Sequence, residues 1–389
     1  MKKIAIVYGT LVCGGVEKAL LTMLRRFDYS KYDITLLVEH DDGPLQNLVD
    51  TRVNVRKWEQ KNSIKYTTYL KQLCAKREFR AVLVSIWYRL LAHLFNKDIQ
   101  RNVKYSYESQ NVEKKRFKEQ FDIVISYQAL SYWHLLYARN YIMAKKYICW
   151  IHGNMKYLEK EYTVMLPKIF NWFDRFVCVS NSVKESFLYF SPKLGKKTTV
   201  IYNLFDINGI QESAKQPIIE TMDGLTFTTV GRISPEKGQL MIPMIAKELL
   251  NLGYTFKWYV VGDGSDMEQL KKSVEELSLK DVVILTGMKE NPYPYIKNCS
   301  LYIQPSYTEG FCLSTFEAKI LGRHIVVTDV PGMREQFAEN EAIFCVPTVP
   351  SLVNGIQRAL ETIDLPVPYK KVTDEFNQEQ LRKIDKILS

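Results

Sequence analysis

The segment EGFCLSTFEA, in which two glutamates bracket seven residues, carries the clearest chemical pattern in the chain. Glu309 opens the segment on a glycine-containing turn, and Glu317 lies within a predicted helix over residues 313–321. A carboxylate can accept paired hydrogen bonds from the neighbouring hydroxyl groups of a ribose or a hexose. Burying a charged side chain on an apolar helix face is energetically unfavourable unless a polar or charged group pairs with it. We therefore expect the Glu317 carboxylate to have such a partner. A solvent-facing glutamate on an amphipathic helix is the alternative.

Two cations lie in a second segment, VGRISPEKG. Arg232 and Lys237 follow a predicted strand over residues 227–230 and Gly231, and they precede a predicted helix over 238–252. Arginine presents a planar fork and lysine a point charge, and both bind phosphate. Because cations at a helix start oppose the helix dipole, the pattern favours a bound anion such as a diphosphate. A solvated basic loop is the alternative.

Glycines at two further predicted strand ends would let backbone N–H groups approach an anion. Gly14 and Gly15 follow a predicted strand over residues 4–8 and open a predicted helix over 16–27. Gly262 follows a predicted strand over 257–261 in the segment VGDG. A helix start adds positive potential to such a loop. Tight strand-to-helix turns would explain the same glycines without any ligand.

His152 lies at another predicted strand end, in the segment CWIHGN. A histidine there can donate a hydrogen bond to a sugar hydroxyl or to a developing oxyanion. A structural histidine with satisfied hydrogen bonds is the alternative. The five histidines form neither an HExxH motif nor a cluster with cysteines, so we expect no metal site. The seven scattered cysteines, without a CxxC pair, are typical of a reducing compartment.

These residues require a scaffold that brings several strand ends together. Short apolar strands alternate with helical segments, and 389 residues allow two domains. The alternation predicts an α/β fold class: two Rossmann-like domains whose parallel sheets face each other across a cleft. Open parallel sheets bind ligands beyond the carboxyl ends of their strands, so the cleft is the predicted site. The other predicted strands cover residues 34–38, 123–126, 147–150, 176–179, 283–286, 301–304 and 325–328, and the other predicted helices cover 266–277, 292–298 and 351–363.

The predicted boundary between the domains lies in the polar segment 203–224. We expect a first domain over residues 1–203 and a second over residues 204–365. A C-terminal tail over residues 366–389 begins with prolines and ends in a predicted helix that packs back towards the first domain.

Positive charge is concentrated in the first half of the chain. Residues 1–200 contain 34 Lys and Arg against 18 Asp and Glu, a net charge of +16, whereas residues 201–389 have 19 against 25, a net charge of −6. The excess is densest over residues 51–120, at +11. Such a field attracts polyanions: nucleic acid, an anionic membrane or a phosphate-bearing substrate. A solvated basic surface is the alternative.

The segment 80–95, RAVLVSIWYRLLAHLF, favours the membrane among these partners. It is apolar, contains aromatic residues and has basic flanks, which is typical of an interfacial helix. A buried helix with basic ends has the same pattern. No sequence signature of a nucleic-acid-binding domain is present, so we expect no nucleic-acid partner.

These motifs, in this order, resemble glycosyltransferase family 4, the retaining nucleotide-sugar transferases with the GT-B fold. The resemblance runs most clearly from Val230 to Glu335, through GRISPEKG, VGDGSDMEQL, EGFCLSTFEA and VPGMRE. It is weaker in the first half, through GGVEKAL, WIHGN and VCVSNSV. Two positions depart from the family pattern: Cys312 replaces a common glycine or proline, and NLFD at residues 203–206 replaces Asn-Gly-x-Asp.

The resemblance implies a role for each domain and for each motif residue. The domain over residues 1–203 would bind the acceptor of a transferred sugar, and the domain over residues 204–365 would bind its donor. Arg232 and Lys237 would hold the donor diphosphate, and Glu317 would bind the ribose hydroxyls. Glu309 would contact the transferred sugar, and His152 would lie near its reacting carbon. The remaining donor-binding positions would contribute mainly through their backbone: Gly14, Gly15, Gly231, Gly262, Gly310, Phe311, Cys312 and Leu313.

The resemblance also implies an activity. It predicts transfer of a hexose or related sugar from a nucleotide-diphosphate sugar, with a UDP-sugar favoured, to a saccharide or lipid-linked saccharide in bacterial surface-polysaccharide synthesis. No metal or other cofactor is expected. The predicted location is cytoplasmic and peripheral, on the inner face of the plasma membrane. Three alternatives remain open: an inverting transferase or epimerase of similar fold, a catalytically silent partner subunit, and a nucleic-acid-binding protein.

Overall fold

Two parallel sheets organise the chain in a computed structural model. The structure describes residues 1–58 except 13, then 70, 71, 74, 75, 79, 82, 83, 86 and 117, then 119–157 except 129, 166–218 except 168, and 220–389. The predicted interfacial segment 80–95 lies almost entirely outside these residues. Among the described residues, no helix has the length and apolar character needed to cross a bilayer.

Within the described ranges, the first sheet has seven parallel strands in the spatial order β3-β2-β1-β4-β5-β6-β7. Its central strand is apolar, and Ile4 to Tyr8 within it are fully buried, as expected for a strand covered on both faces. The strands are β1 (Lys2–Thr10), β2 (Tyr32–His40), β3 (Asn54–Lys57), β4 (Gln120–Ser126), β5 (Met143–Ile151), β6 (Arg175–Cys178) and β7 (Thr198–Val200). The helices that connect them include α1 (Gly15–Arg26), α2 (Tyr132–Tyr141) and α3 (Asn181–Phe190). We call this sheet and its helices the first lobe.

The second sheet, as far as the structure describes the chain, has six parallel strands in the order β10-β9-β8-β11-β12-β13. The strands are β8 (Thr226–Val230), β9 (Lys257–Val261), β10 (Val283–Gly287), β11 (Leu301–Gln304), β12 (His324–Thr328) and β13 (Ile343–Cys345). The helices are α4 (Ile207–Ser213), α5 (Ile242–Asn251), α6 (Met267–Glu276), α7 (Tyr293–Asn298), α8 (Leu313–Ile320), α9 (Pro331–Arg334), α10 (Val349–Leu360) and α11 (Glu375–Leu388). The second sheet with α5 to α10 forms the second lobe.

Both sheets reverse their strand order at one point, between β1 and β4 and between β8 and β11. This is the doubly wound Rossmann order, in which ligands bind beyond the strand ends at the reversal. The predicted fold class of two Rossmann-like domains with parallel sheets is therefore confirmed. The glycines after β1 and the cations after β8 follow the two central strands at these reversal points.

Helix α11 returns from the second lobe to pack beside the segment that joins the lobes. Asn377 of this helix donates to the carbonyl of Phe205 at 2.8 Å and accepts from its N–H at 2.9 Å. Gln380 accepts from the N–H of Tyr202 at 3.1 Å. The end of α11 reaches the first sheet, where Lys146 Nζ donates to the carbonyl of Ile387 at 2.6 Å.

The structure differs from the sequence predictions in two connecting segments. The polar segment 203–224 contains α4, whose first turn is capped by Asp206 through the N–H of Gly209 at 3.1 Å. The helix predicted over 238–252 begins only at Ile242. Gly238 has a left-handed φ of 69° between two 3₁₀ turns, and an α-helix cannot run through that conformation.

Candidate active site

Lys237 and Glu309 form a buried ion pair at the carboxyl edge of the second sheet. Lys237 Nζ lies 2.7 Å from both Glu309 carboxylate oxygens, and Ser306 Oγ donates to Glu309 Oε1 at 2.7 Å. The side chains of Lys237 and Glu309 are 23% and 5% exposed. Burial by itself lowers the pKa of Lys237, but the adjacent charge and hydrogen bonds of Glu309 outweigh it and raise that pKa. Lys237 is therefore a cation already positioned at the strand ends.

Close backbone packing holds the two loops of this pair together. A Cβ atom on Gly238 would overlap the carbonyl oxygen of Pro305, the first residue after β11. The N–H of Tyr307 donates to the carbonyl of Glu236 at 2.9 Å. The 3₁₀ turn that carries Lys237 is thus fixed against the loop that carries Glu309.

The two lobes meet where Arg232 faces the glycine loop after β1. A Cβ atom on Gly14 would lie 3.7 Å from Arg232 Nη2 and would overlap Glu17 Oε2. Arg232 is exposed, and within the described part of the chain no carboxylate forms an ion pair with it. A guanidinium without an ion-pair partner, set against a glycine loop and a helix start, has the donor geometry that anions require.

The carboxylate of Glu17 is also buried where the two lobes are in contact, and this residue is only 6% exposed. Burial raises its pKa, and the positive charge of Arg232 offsets part of this effect. The sequence motif contained Glu17 but assigned it no role. The position of Glu17 on the buried face of α1 could have indicated a role for it, because a buried glutamate needs a charged or polar partner.

The loop after Glu309 packs directly on the first lobe beside His152. A Cβ atom on Gly310 would overlap the backbone carbonyl of His152, so only glycine fits there. The centroid of the His152 ring lies 4.5 Å from that of the Tyr127 ring, and the buried Nε2 atom of His152 has no hydrogen-bond partner in the part of the chain that the structure describes. Burial lowers the pKa of His152 to about 3, so the ring is neutral at pH 7. A neutral imidazole with an unused nitrogen can bind a hydroxyl group.

Glu317 has a partner that the sequence did not reveal. The hydroxyl of Tyr293, at the start of α7, donates to Glu317 Oε1 at 3.1 Å. Burial, followed by the charge of Glu317, raises the pKa of Tyr293. Lys18 of the first lobe lies over the Tyr293 ring, with its Nζ 5.2 Å from the ring centroid. The buried Glu317 therefore also lies near the boundary between the lobes.

The four positions from Gly310 to Leu313 have different surroundings. Leu313 begins α8 and lies 3.5 Å from a Cβ atom built on Gly15, so this helix start faces the first lobe. Cys312 occupies the N-cap position, and burial raises its pKa to about 11. The ring of Phe311 packs 5.4 Å from that of Tyr202, towards the segment between the lobes.

Gly231 and Gly262 hold two loops of the second lobe against each other. The N–H of Gly231 donates to the carbonyl of Val261 at 3.0 Å, and a Cβ atom on Gly262 would overlap the carbonyl oxygen of Gly231. These glycines therefore have a packing role in addition to any contact with a ligand. Among the described residues, no group of three or more His, Cys, Asp or Glu side chains could hold a metal ion.

Models of two known protein families match the two halves of the chain. A family model described as Glycosyltransferase Family 4 matches residues 13–208, about half of the chain, and one described as Glycosyl transferases group 1 matches residues 211–372. The chain belongs to glycosyltransferase family 4. The predicted resemblance is therefore confirmed across both lobes of this family 4 protein.

Two curated relatives are bacterial transferases. The family 4 chain is 28% identical over 178 residues, 45% of its length and 47% of the relative's, to an N-acetylgalactosaminyltransferase of Campylobacter jejuni named for a diphospho-undecaprenol-linked acceptor. It is 26% identical over 264 residues, 61% of its length and 66% of the relative's, to the UDP-Gal:alpha-D-GlcNAc-diphosphoundecaprenol alpha-1,3-galactosyltransferase of Escherichia coli. The chain spans about half the length of most curated relatives it matches.

Solved structures share the fold over the whole chain. HepE of Anabaena, crystallised with UDP and glucose, has a TM-score of 0.69 and 16% identity, covering 99% of this chain and 100% of HepE. The lipopolysaccharide outer core galactosyltransferase WaaB has a TM-score of 0.58 and 18% identity, covering 98% of this chain and 95% of WaaB. At these identities the likeness concerns the GT-B fold.

Proposed function

We propose that this protein is a retaining glycosyltransferase that uses a nucleotide-diphosphate sugar. It transfers a hexose or related sugar to a saccharide or lipid-linked saccharide during the synthesis of a bacterial surface polysaccharide. The observation that carries the proposal is the convergence of the Arg232 guanidinium and the glycine loop of the first lobe at one place between the lobes. The undecaprenol-linked acceptors in the names of two relatives support the acceptor class, and the UDP bound to HepE supports a UDP-sugar donor.

Each group at the meeting of the lobes has a proposed role. Arg232 and Lys237 bind the diphosphate, together with the backbone around Gly14 and the start of α8. Glu317 binds the ribose hydroxyls, with the Tyr293 hydroxyl fixing its carboxylate. Glu309 orients Lys237 and contacts the transferred sugar. His152 contacts a hydroxyl of that sugar through its unpartnered Nε2 atom.

The proposed chemistry exchanges one bond to the anomeric carbon for another on the same face of the sugar. The bond from this carbon to the β-phosphate oxygen breaks, and a bond to the acceptor oxygen forms. The acceptor proton passes to the leaving phosphate. Negative charge develops on the phosphate as the bond lengthens, and the pre-positioned cations and N–H groups stabilise it.

We further propose that the lobes divide the substrates. The unit over residues 1–203 binds the acceptor and lies against an anionic membrane surface, and the unit over 204–365 binds the donor. The net charge of +16 over residues 1–200 supports the membrane contact. Exposed aromatic residues among lysines support it too: Tyr189 is 71% and Trp172 is 45% exposed, and Lys156 Nζ lies 5.4 Å from the centre of the Tyr189 ring.

A panel of nucleotide sugars tests the donor assignment, because slow hydrolysis of the donor needs no acceptor. We expect the wild-type protein to hydrolyse one class of nucleotide-diphosphate sugar. Arg232→Ala should lower this rate by about 10²–10³-fold, since one charge partner of the leaving group is lost. Arg232 is exposed, so thermal stability should not change. Lys271→Ala, an exposed lysine of the same lobe, is the matched control and should retain the wild-type rate. An unchanged rate in Arg232→Ala would remove the diphosphate assignment.

A further inference from the structure

Glu335 joins the two lobes by a set of short hydrogen bonds. It follows α9 in the second lobe, and its carboxylate reaches the start of α3 in the first lobe. Its Oε1 atom accepts from the N–H of Ser182 at 2.6 Å, and its Oε2 atom accepts from the N–H of Asn181 at 2.6 Å. The Asn181 side-chain amide and the Tyr202 hydroxyl also donate to Oε2, at 3.0 and 3.2 Å. One carboxylate thus accepts four hydrogen bonds from the first lobe and from the segment that joins the lobes.

The start of α3 is capped by residues from both lobes. Ser180, the residue before the helix, accepts through its Oγ atom from the N–H of Val183 at 3.0 Å. Glu335 takes the two N–H groups that this cap leaves free, those of Asn181 and Ser182. Free N–H groups and the helix dipole favour an anion at this position. Bonds from N–H groups to a carboxylate are also stronger than bonds between neutral groups.

The loop that contains Glu309 lies beside this contact between Glu335 and α3. A Cβ atom on Gly332 of α9 would overlap the carbonyl oxygen of Glu309. On its other side, the loop touches the first lobe: a Cβ atom on Gly310 would overlap the His152 carbonyl and lie 3.2 Å from Val183 Cγ2. The loop therefore lies between α9 and the first lobe, with no room for a side chain on either side.

We propose that Glu335 is a positioning residue, which holds His152 and Glu309 in register by capping α3 from the opposite lobe. The inference rests on the proposed function, because these two residues belong to opposite lobes and both contact the transferred sugar in that proposal. Without Glu335 the first N–H groups of α3 lose their partner, and the lobes can separate at the Glu309 loop. The side chains assigned to the donor, those of Arg232, Lys237 and Glu317, lie in the second lobe. The first lobe contributes only the backbone around Gly14 to donor binding, so we expect donor binding to change less than the chemical step.

Hydrogen exchange tests the interlobe cap independently of activity. In Glu335→Ala, exchange at the amides of Asn181 and Ser182 should become about tenfold faster or more, since bonds to a charged group contribute roughly 1.5–3 kcal/mol. Glu335→Gln should give an intermediate increase, because an amide oxygen accepts but its NH₂ group opposes a second N–H. Arg334→Ala is the matched control: Arg334 precedes Glu335 but pairs with Asp329 at 2.6 Å within the second lobe. Amides that stay protected in Glu335→Ala would overturn the cap.

Kinetics tests the positioning role. With a nucleotide sugar that the wild type hydrolyses, Glu335→Ala should lower kcat by about 10–100-fold, since small misplacements of reacting groups are costly. The donor KM should stay within about threefold, and Arg334→Ala should match the wild type in both constants. A wild-type kcat in Glu335→Ala, or a loss confined to KM, would overturn the positioning role alone.

Failure of the proposed function has a different signature. A wild-type protein that hydrolyses no sugar nucleotide would overturn the activity and the positioning role together. Should Glu335→Ala fail to fold, Glu335→Gln decides the outcome. An exchange rate and a kcat both equal to the wild type in Glu335→Gln would contradict the inference.

Discussion

Lys237 and Glu309 neutralise each other in the ligand-free protein. The carboxylate accepts from both Lys237 and Ser306, so its position is fixed before any donor arrives. A bound diphosphate would share Lys237 with Glu309. The pair therefore presents a cation in a fixed place, and little rearrangement is needed when charge develops.

His134 should make the stability of the folded protein depend on pH. Both of its ring nitrogens are buried, and neither has a hydrogen-bond partner among the described residues; burial lowers the pKa of His134 to about 4. The ordinary pKa of a histidine side chain is 6.5, so between pH 6.5 and 4 the unfolded chain binds a proton that the folded chain does not. The protein should lose stability as the pH falls through this window, by about 1 kcal/mol per pH unit from this residue.

Urea denaturation at a series of pH values measures the effect. His134→Leu should show a shallower loss of stability than the wild type between pH 6 and 5, because the variant has no group there to protonate. His40→Gln, a substitution of an exposed histidine, is the control and should follow the wild-type slope. Parallel curves for His134→Leu and the wild type would contradict the assignment.

The sequence singled out the charged residues of the candidate site but not most of the side chains that they contact. Motif spacing identified Arg232, Lys237 and Glu309, since these residues lie within short segments at strand ends. Their packing partners come from distant parts of the chain. Tyr293 is 24 residues from Glu317, and Glu335 is 154 residues from Asn181. No local pattern encodes such a pair, because both contacts depend on how helices and lobes pack.

Among the secondary-structure elements, apolar strands in the interior of a sheet were predictable, whereas three short strands at the sheet edges were not. The predicted strands over residues 257–261 and 301–304 match β9 and β11. The strands that escaped prediction, β3, β7 and β13, have only three or four residues each and lie at the edges of the sheets. Edge strands are half covered, so their sequences show less apolar character.

We expect helix α11 to contain the side chain whose removal lowers the free energy of unfolding most. Asn377 is fully buried and makes two hydrogen bonds to the backbone of Phe205. Asn377→Ala leaves a buried N–H and a buried carbonyl without partners, which should lower the free energy of unfolding by about 2 kcal/mol. Denaturant unfolding followed by tryptophan fluorescence would measure this loss.

A neighbouring residue on α11 gives the matched control. Gln378 is exposed, and its side chain donates to Asp374, the N-cap residue of the same helix, at 3.1 Å. Gln378→Ala should change stability by less than about 0.5 kcal/mol. Equal losses in the two variants would show that α11 contributes through its helix alone and not through the Phe205 contact.

At the scale of the whole molecule, the charge asymmetry gives a prediction about membranes. Co-sedimentation with liposomes should increase with the fraction of anionic lipid and decrease with salt, because screening weakens the attraction. The double variant Trp172→Ala and Tyr189→Ala should reduce the bound fraction several-fold. Tyr307→Ala, which removes an exposed aromatic ring of the second lobe, should bind like the wild type. Binding that is insensitive to salt and to lipid charge would contradict the membrane proposal.

The return of α11 to the first lobe also affects how the chain is made. A ribosome releases the strands of the first lobe well before α11 emerges, with the whole second sheet translated in between. At roughly 5–20 residues per second, this interval is on the order of ten seconds. During it, the backbone groups of Tyr202 and Phe205 lack their final partners. The nascent polypeptide thus has a vulnerable period in which chaperones or proteases could engage a nearly complete first lobe.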